Sequence, residues 1–154
     1  MQIHAQSTQA SSGKVQRIDN FKSNFVDSRT VDIWLPEGYS DTQKYAVLYM
    51  HDGQSLFQSG RSLSGDEWEV DEMMTKLIKE NKIKEAIVVG IWNTPKRFRE
   101  YQPNKPFENL ASENNSLRDS LDAEYNGGPL ADDYLKFIVE ELKPFVNAFR
   151  LFKT

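Results

Sequence analysis

Lys44 to Phe57, KYAVLYMHDGQSLF, carries an unbroken apolar run from Tyr45 to Met50. A run this short, without in-out alternation and closed by Asp52-Gly53, reads as a strand buried on both faces, as in a sheet flanked by helices. A plain core strand running into a turn has the same pattern. His51, Asp52, Gly53 and Gln54 form a polar turn at its C-terminal end, the edge where open α/β sheets keep their ligand sites.

Working outward, Thr30–Leu35 (TVDIWL) sets Val31, Ile33 and Leu35 against Asp32 and Trp34, the alternation of a strand, which Pro36-Glu37-Gly38 stops. Lys14–Ile18 alternates weakly and reads as a first strand. On the other side, Val70, Met73, Met74, Leu77 and Ile78 recur at helical spacing. Asp66 and Glu69 ahead of them have the spacing of a capping box, and Lys79 and Lys82 suit the far end of the dipole. Ala86–Ile91 (AIVVGI) is a second continuous apolar strand, so strand, helix and strand make a βαβ unit with a parallel pair and a right-handed crossover. Trp92–Asn126 is polar, holds three of the prolines, and reads as a long connection with one helical turn at Ser116–Leu121. Tyr134, Phe137, Ile138, Leu142, Phe145, Val146 and Phe149 mark an amphipathic helix over 130–149, which Pro144 should bend or interrupt near Leu142.

The 154 residues suit one domain, with 1–13 as a polar, disordered leader and 14–154 as the folded part. The leader lacks the basic and apolar regions of a signal peptide, and the compartment is not legible. A net charge of -4 supplies no basic field for nucleic acid and disfavours anionic membranes. No apolar stretch approaches transmembrane length. There is no cysteine, which excludes disulfides, thiolate metal sites and thiol nucleophiles.

Taken together, VDIWLPEGY, YAVLYMHDGQSLF, EWEVDEMMTKLI, IVVGIWNTPKRFREY and LADDYLKFIVEELKPFV resemble, in order and spacing, the N-terminal half of the putative esterase (esterase D-like) family of α/β-hydrolases. The resemblance spans about residues 15–146. It implies a mostly parallel sheet flanked by helices and hydrolysis of carboxylic esters, of the feruloyl or acetyl-xylan kind, by a Ser-His-Asp triad. It also implies a strand order 1-2-4-3-5 onward, which would leave Tyr45–Met50 at an edge if the nucleophile strand is absent.

The chain departs from the family at the chemistry. The nucleophilic serine sits in a Gly-x-Ser-x-Gly elbow followed by acid and histidine, and no such elbow occurs in these residues. Gly60-Arg61-Ser62-Leu63-Ser64 lacks the last glycine and lies in the wrong loop. The two histidines, His4 and His51, do not follow a plausible nucleophile. The fold expected is therefore a truncated α/β-hydrolase fold, lacking the nucleophile strand and all later elements, with no catalytic triad.

What remains is the supporting half of a site. The turn at Gly53 and Gln54 resembles the place where the family donates a backbone N–H to the oxyanion hole; a good turn would look the same. Asn93, Lys96, Arg97, Arg99 and Tyr101 follow the second buried strand, where Asn93, Arg97, Arg99 and Tyr101 could hold a substrate carboxylate or sugar hydroxyls; a solvated basic loop paired with Glu100 and Glu108 is the alternative. Asp66, Glu67, Glu69, Asp71 and Glu72 lack calcium-loop spacing and suit a helix start, so no metal and no cofactor are expected. The function expected is the oxyanion-side portion of an ester hydrolase, inactive alone, its partner an ester or carbohydrate ester in a longer parent; the alternative is a non-catalytic carbohydrate- or protein-binding module. An exposed edge at Tyr45–Met50 would also favour self-association.

Overall fold

The chain divides into two units, one of Met1–Phe21 with Ser28–Asn93 and one of Lys22–Asp27 with Thr94–Thr154. The structure, a computed structural model, describes residues 5–8, 10–58, 65–113 and 115–148.

The first unit is a five-stranded sheet: β1 (Ala5–Thr8), β2 (Lys14–Phe21), β3 (Arg29–Leu35), β4 (Ala46–His51) and β5 (Ala86–Ile91), in the order β1-β2-β3-β5-β4. β2, β3, β5 and β4 thus follow the order the resemblance implies, with β1 added outside them. The parallel pairing expected of most of the sheet is confined to β4 and β5, where Ala46 faces Ala86 and His51 faces Ile91. The pairs β1–β2, β2–β3 and β3–β5 are antiparallel. Short connections can only turn a strand back, whereas the helix between β4 and β5 carries the chain across for a parallel return.

Burial reverses the expectation for two strands. β3, whose alternation suggests one solvated face, is buried on both, Asp32 and Trp34 included. β4, whose apolar run suggests full burial, leaves Ala46, Leu48 and His51 exposed. Position explains both: β3 lies between β2 and β5, while among the described residues β4 pairs with β5 alone.

Trp34 anchors the core with Val15, Leu56, Phe57 and Val88. Against it pack Val70, Met74 and Ile78 from helix α1 (Val70–Lys79), part of the face its spacing predicts, while Met73 of that set is exposed. The capping box does not form. Glu69 adopts a left-handed conformation without a side-chain cap, and the Trp68 and Val70 N–H groups donate to the Ser55 and Leu56 carbonyls at 2.8 and 3.1 Å. Those bonds tie the approach to the helix to the turn after β4 instead of to a side-chain cap.

The leader is ordered in part. Ala5–Thr8 pairs with β2. The Ser11 and Ser12 N–H groups donate to Asp71 Oδ2 at 2.8 and 3.1 Å, and the Trp34 indole donates to the Ser12 carbonyl at 2.8 Å. Gly13 is left-handed, and a Cβ there would collide with the Leu35 carbonyl oxygen. An ordered 10–13 segment follows from these partners, which lie about sixty residues away along the chain for Asp71 and are invisible to local composition.

The second unit is helical: α2 (Arg97–Tyr101), α3 (Asn104–Glu113), α4 (Asn115–Tyr125), α5 (Ala131–Lys136) and α6 (Lys143–Ala148). The region read as a connection is thus largely helix. Its residues, Leu, Glu, Ala and Arg among them, are good helix formers, but the apolar ones are too sparse to print a period. Between α5 and α6 a π-helical turn covers Phe137–Leu142, just ahead of Pro144. Proline lacks the amide an α-helix would use there, and the ladder shifts register without breaking. Phe107, Tyr134, Phe137, Leu142 and Val146 are buried. Asn24 joins this unit through its N–H and Nδ2, both donating to Glu141 Oε1.

Candidate functional site

β4 and β5 run parallel, so their C-terminal ends bring the turn after His51 beside Trp92 and Asn93. Asp52 is left-handed, at φ 55° and ψ 44°, a conformation aspartate tolerates better than most residues. A 3-10 turn over Gly53–Ser55 follows, with the Ser55 N–H on the Asp52 carbonyl (2.9 Å) and the Leu56 N–H on the Gly53 carbonyl (3.3 Å). Its ladder opens at Ser55, so the Gly53 and Gln54 amides precede it, as at any helix start. Gly53 is seated on the backbone of Gly90: a Cβ would come within 2.6 Å of the Gly90 carbonyl carbon. Only glycine permits that approach.

Asn93 holds the turn from β5. Its Nδ2 donates to Asp52 Oδ1 at 2.6 Å, and its backbone N–H donates to Gln54 Oε1 at 3.3 Å. Beside it, the Trp92 N–H donates to the Thr30 carbonyl (3.1 Å) and its indole to Asp32 Oδ2 (2.9 Å). Asp32 also takes both arms of Arg17, at 2.8 Å each, and the guanidinium lies 4.7 Å from the Trp92 ring. Arg17 and Asp32 are both buried.

In the second unit, Arg97 lies 4.9 Å from the Tyr101 ring centroid and 5.6 Å from that of Phe98. Phe98 is 61% exposed, a large aromatic face at the surface. Tyr101 also meets Tyr134, at 5.6 Å. Arg99 donates from Nε to the Gly128 carbonyl (2.7 Å) and from Nη1 to the Asn126 carbonyl (3.1 Å), closing the loop before α5. Lys96 pairs with Asp27 at 2.8 Å. Glu100 is buried and accepts from the Thr94 hydroxyl at 3.3 Å.

The sequence-predicted residues thus fall into two sets. Gly53, Gln54 and Asn93 come together on the first unit; Arg97 and Tyr101 come together on the second, with Arg99 engaged by backbone carbonyls. His51 ends β4 and is exposed. His4 and Ser62 lie outside the described residues.

Among the acids, Asp71 is buried beneath Ser11 and Ser12. Burial first, and then the adjacent Glu72 carboxylate, push its pKa up to about 6. Among the described residues no group of three or more ligands is placed to hold a metal ion. Composition gave no hint of the Asp52–Asn93 bond, which joins residues 41 apart and follows only from the parallel register.

Residues 23–151 match the family model described as "Putative esterase". An uncharacterized protein, YjcH, of Bacillus subtilis (strain 168) is 23% identical over 135 residues, 88% of this chain and 44% of the relative. Among solved structures, the chain is similar to an IroE-like serine hydrolase of Shewanella oneidensis, with a TM-score of 0.58, 23% identity, and coverage of 94% of this chain and 38% of that one. It is similar to the BES protein of Bacillus cereus at 0.56 and 17% identity, covering 97% and 51%. A ferulic acid esterase of the anaerobic fungus Anaeromyces mucronatus gives 0.50 and 17%, covering 96% and 45%. The chain therefore spans about half or less of the length of the relatives it matches.

Proposed function

The chain belongs to the putative esterase family, and from that premise we propose that these residues supply the oxyanion side of a carboxylic-ester hydrolase. The observation that carries the reading is the turn seated on Gly90, which sets the Gly53 and Gln54 amides ahead of the first bond of a 3-10 ladder at the carboxyl end of β4. As a nucleophile adds to an ester, negative charge gathers on the carbonyl oxygen. A preorganised N–H aimed at that oxygen lowers the barrier by roughly 3 kcal/mol.

The attacking serine, its histidine and its acid are assigned elsewhere, because these residues contain no Gly-x-Ser-x-Gly elbow. Such groups would come from a longer polypeptide or a second one. For the substrate we propose an ester of a carbohydrate or aromatic acid. The ferulic acid esterase among the structural neighbours supports that class.

The test is hydrolysis of p-nitrophenyl acetate together with labelling by a fluorophosphonate probe. The chain alone should neither turn over the ester nor label. Labelling of any serine in it, Ser62 above all, would overturn the assignment. Binding of xylo-oligosaccharide by the chain, with no turnover even beside a complementing polypeptide, would favour a carbohydrate-binding module instead.

A further inference from the structure

We propose that Asn93 is a positioning residue that aims the oxyanion turn, and that it is not a substrate contact. The proposal rests on the reading of Gly53 and Gln54 just given. Asn93 grips the two residues flanking Gly53: its side-chain amide donates to Asp52 Oδ1 at 2.6 Å, and its backbone N–H donates to Gln54 Oε1 at 3.3 Å. Gly53 itself is pressed against Gly90 of β5. The turn is therefore fixed on three sides by one strand, and all three contacts come from β5 and its immediate continuation.

Each contact does separate physical work. The left-handed Asp52 turns the chain at the end of β4, a conformation most residues avoid, and a hydrogen bond to its carboxylate holds the residue there. The Asn93 amide supplies that bond from outside the turn. The Gln54 side chain is held by the Asn93 backbone N–H, which fixes the residue whose amide the oxyanion reading uses. Asn93 is in turn held by its neighbour: Trp92 is tied through its N–H to Thr30 and through its indole to Asp32. A donor aimed in advance needs no reorganisation when charge develops, and that is what makes an oxyanion site effective. Asn93 does this with the amide nitrogen that a substrate contact would otherwise use.

The test uses the full chain, labelled with nitrogen-15, as wild type, Asn93→Ala, Asn93→Asp, and the exchanged pair Asp52→Asn with Asn93→Asp. The exchanged pair restores a donor and an acceptor with their places reversed. A hydrogen bond of ordinary net strength shifts an opening equilibrium by up to about tenfold. Hydrogen exchange at the Ser55 amide, which bonds Asp52, should accelerate by about that factor in both single variants and return toward wild type in the exchanged pair. Exchange within twofold of wild type in Asn93→Ala, or no recovery in the exchanged pair, overturns the proposal. If Asn93→Ala does not fold, the isosteric Asn93→Asp and its exchange partner decide the matter by the same readout.

Phenylphosphonate, an anion whose oxygens surround a tetrahedral phosphorus, supplies the second arm. It should shift the Gln54 amide resonance in wild type and the exchanged pair but not in Asn93→Ala, while the melting temperature stays within a few degrees. A purely structural asparagine would leave that shift intact, which overturns the proposal. Failure of wild type to respond at all would instead remove the oxyanion reading, and the exchange rates would still decide whether Asn93 holds the turn.

Discussion

Asp71 couples a titration to the packing of residues 11 and 12. It accepts two backbone N–H groups that fasten residues 11 and 12 to α1, yet burial and Glu72 push its pKa up to about 6. A carboxyl ordinarily titrates near 4, so the folded chain holds this proton more tightly than the unfolded one. The stability it contributes is complete below about pH 4 and is lost as pH rises through about 6. Asp71→Asn keeps an oxygen acceptor and removes the titration. The melting temperature of wild type, taken relative to this variant, should therefore fall between pH 4 and 6 and be flat above. Glu72 is shifted the opposite way: burial opposes it, but hydrogen bonds from Ser11 and Asp71 outweigh burial and hold it below its usual range. Its contribution is lost on acidification, below the window in which Asp71 acts.

Gly53 makes a second prediction at this scale. Its φ is not left-handed, so the cost of Gly53→Ala is steric alone: the new methyl meets the Gly90 backbone at 2.6 Å. Overpacking of this kind costs about 1–3 kcal/mol, which a shifted urea midpoint at constant slope would report. Neither effect is legible in composition. Asp52-Gly53 advertises a turn, but that the glycine faces a second glycine depends on β4 and β5 lying side by side.

Among the elements, the first sheet is braced by Arg17 of β2, Asp32 of β3 and Trp92 after β5, which meet on one face. Removing one member of a buried, hydrogen-bonded pair strands the other charge, at about 3–5 kcal/mol. Arg17→Ala should lose that much by chemical denaturation. Adding Asp32→Ala should cost less than its effect alone, because the stranded charge goes while only the Trp92 indole loses its acceptor, and the double-mutant cycle reads the coupling. Asp32 is legible only as the polar side of an alternating strand; its partners are contributed by β2 and by the residue after β5. For β3, β4, β5 and α1 the patterns were sufficient, because apolar runs and a three-four spacing report local geometry. They were insufficient for burial, since Tyr45–Met50 reads as interior whether or not a neighbour lies beyond it. They failed for α2 and α3, whose apolar residues are too few to mark a face, and caught only the Ser116–Leu121 turn of the longer α4; they failed also for the cap at Asp66, where tertiary bonds from Trp68 and Val70 override a local motif.

On the scale of the whole molecule, the open side of β4 carries the largest expectation. Leu48, in mid-strand, is 45% exposed, and among the described residues no strand pairs beyond it. Such an edge presents unpaired backbone groups and apolar side chains together, which favours pairing with another chain. We expect the chain to self-associate with rising concentration by light scattering, and Leu48→Lys to reduce it by placing a charge on the edge. A monodisperse monomer that melts cooperatively at high concentration would remove the expectation. An alternative guest for the same edge is a strand of a complementing polypeptide, and its addition should suppress self-association.

The order of the strands also has a temporal meaning. β5 is inserted between β3 and β4, and Ala46 finds its partner at Ala86. At ribosomal rates of about 5–20 residues per second, Ala46 would emerge roughly 2–8 seconds before the residue it pairs with. Through that interval β3 and β4 have been made, but the strand that separates them has not. A nascent chain so arranged offers an apolar strand to chaperones before its sheet can close, and slowing translation after Lys79 would lengthen that exposure.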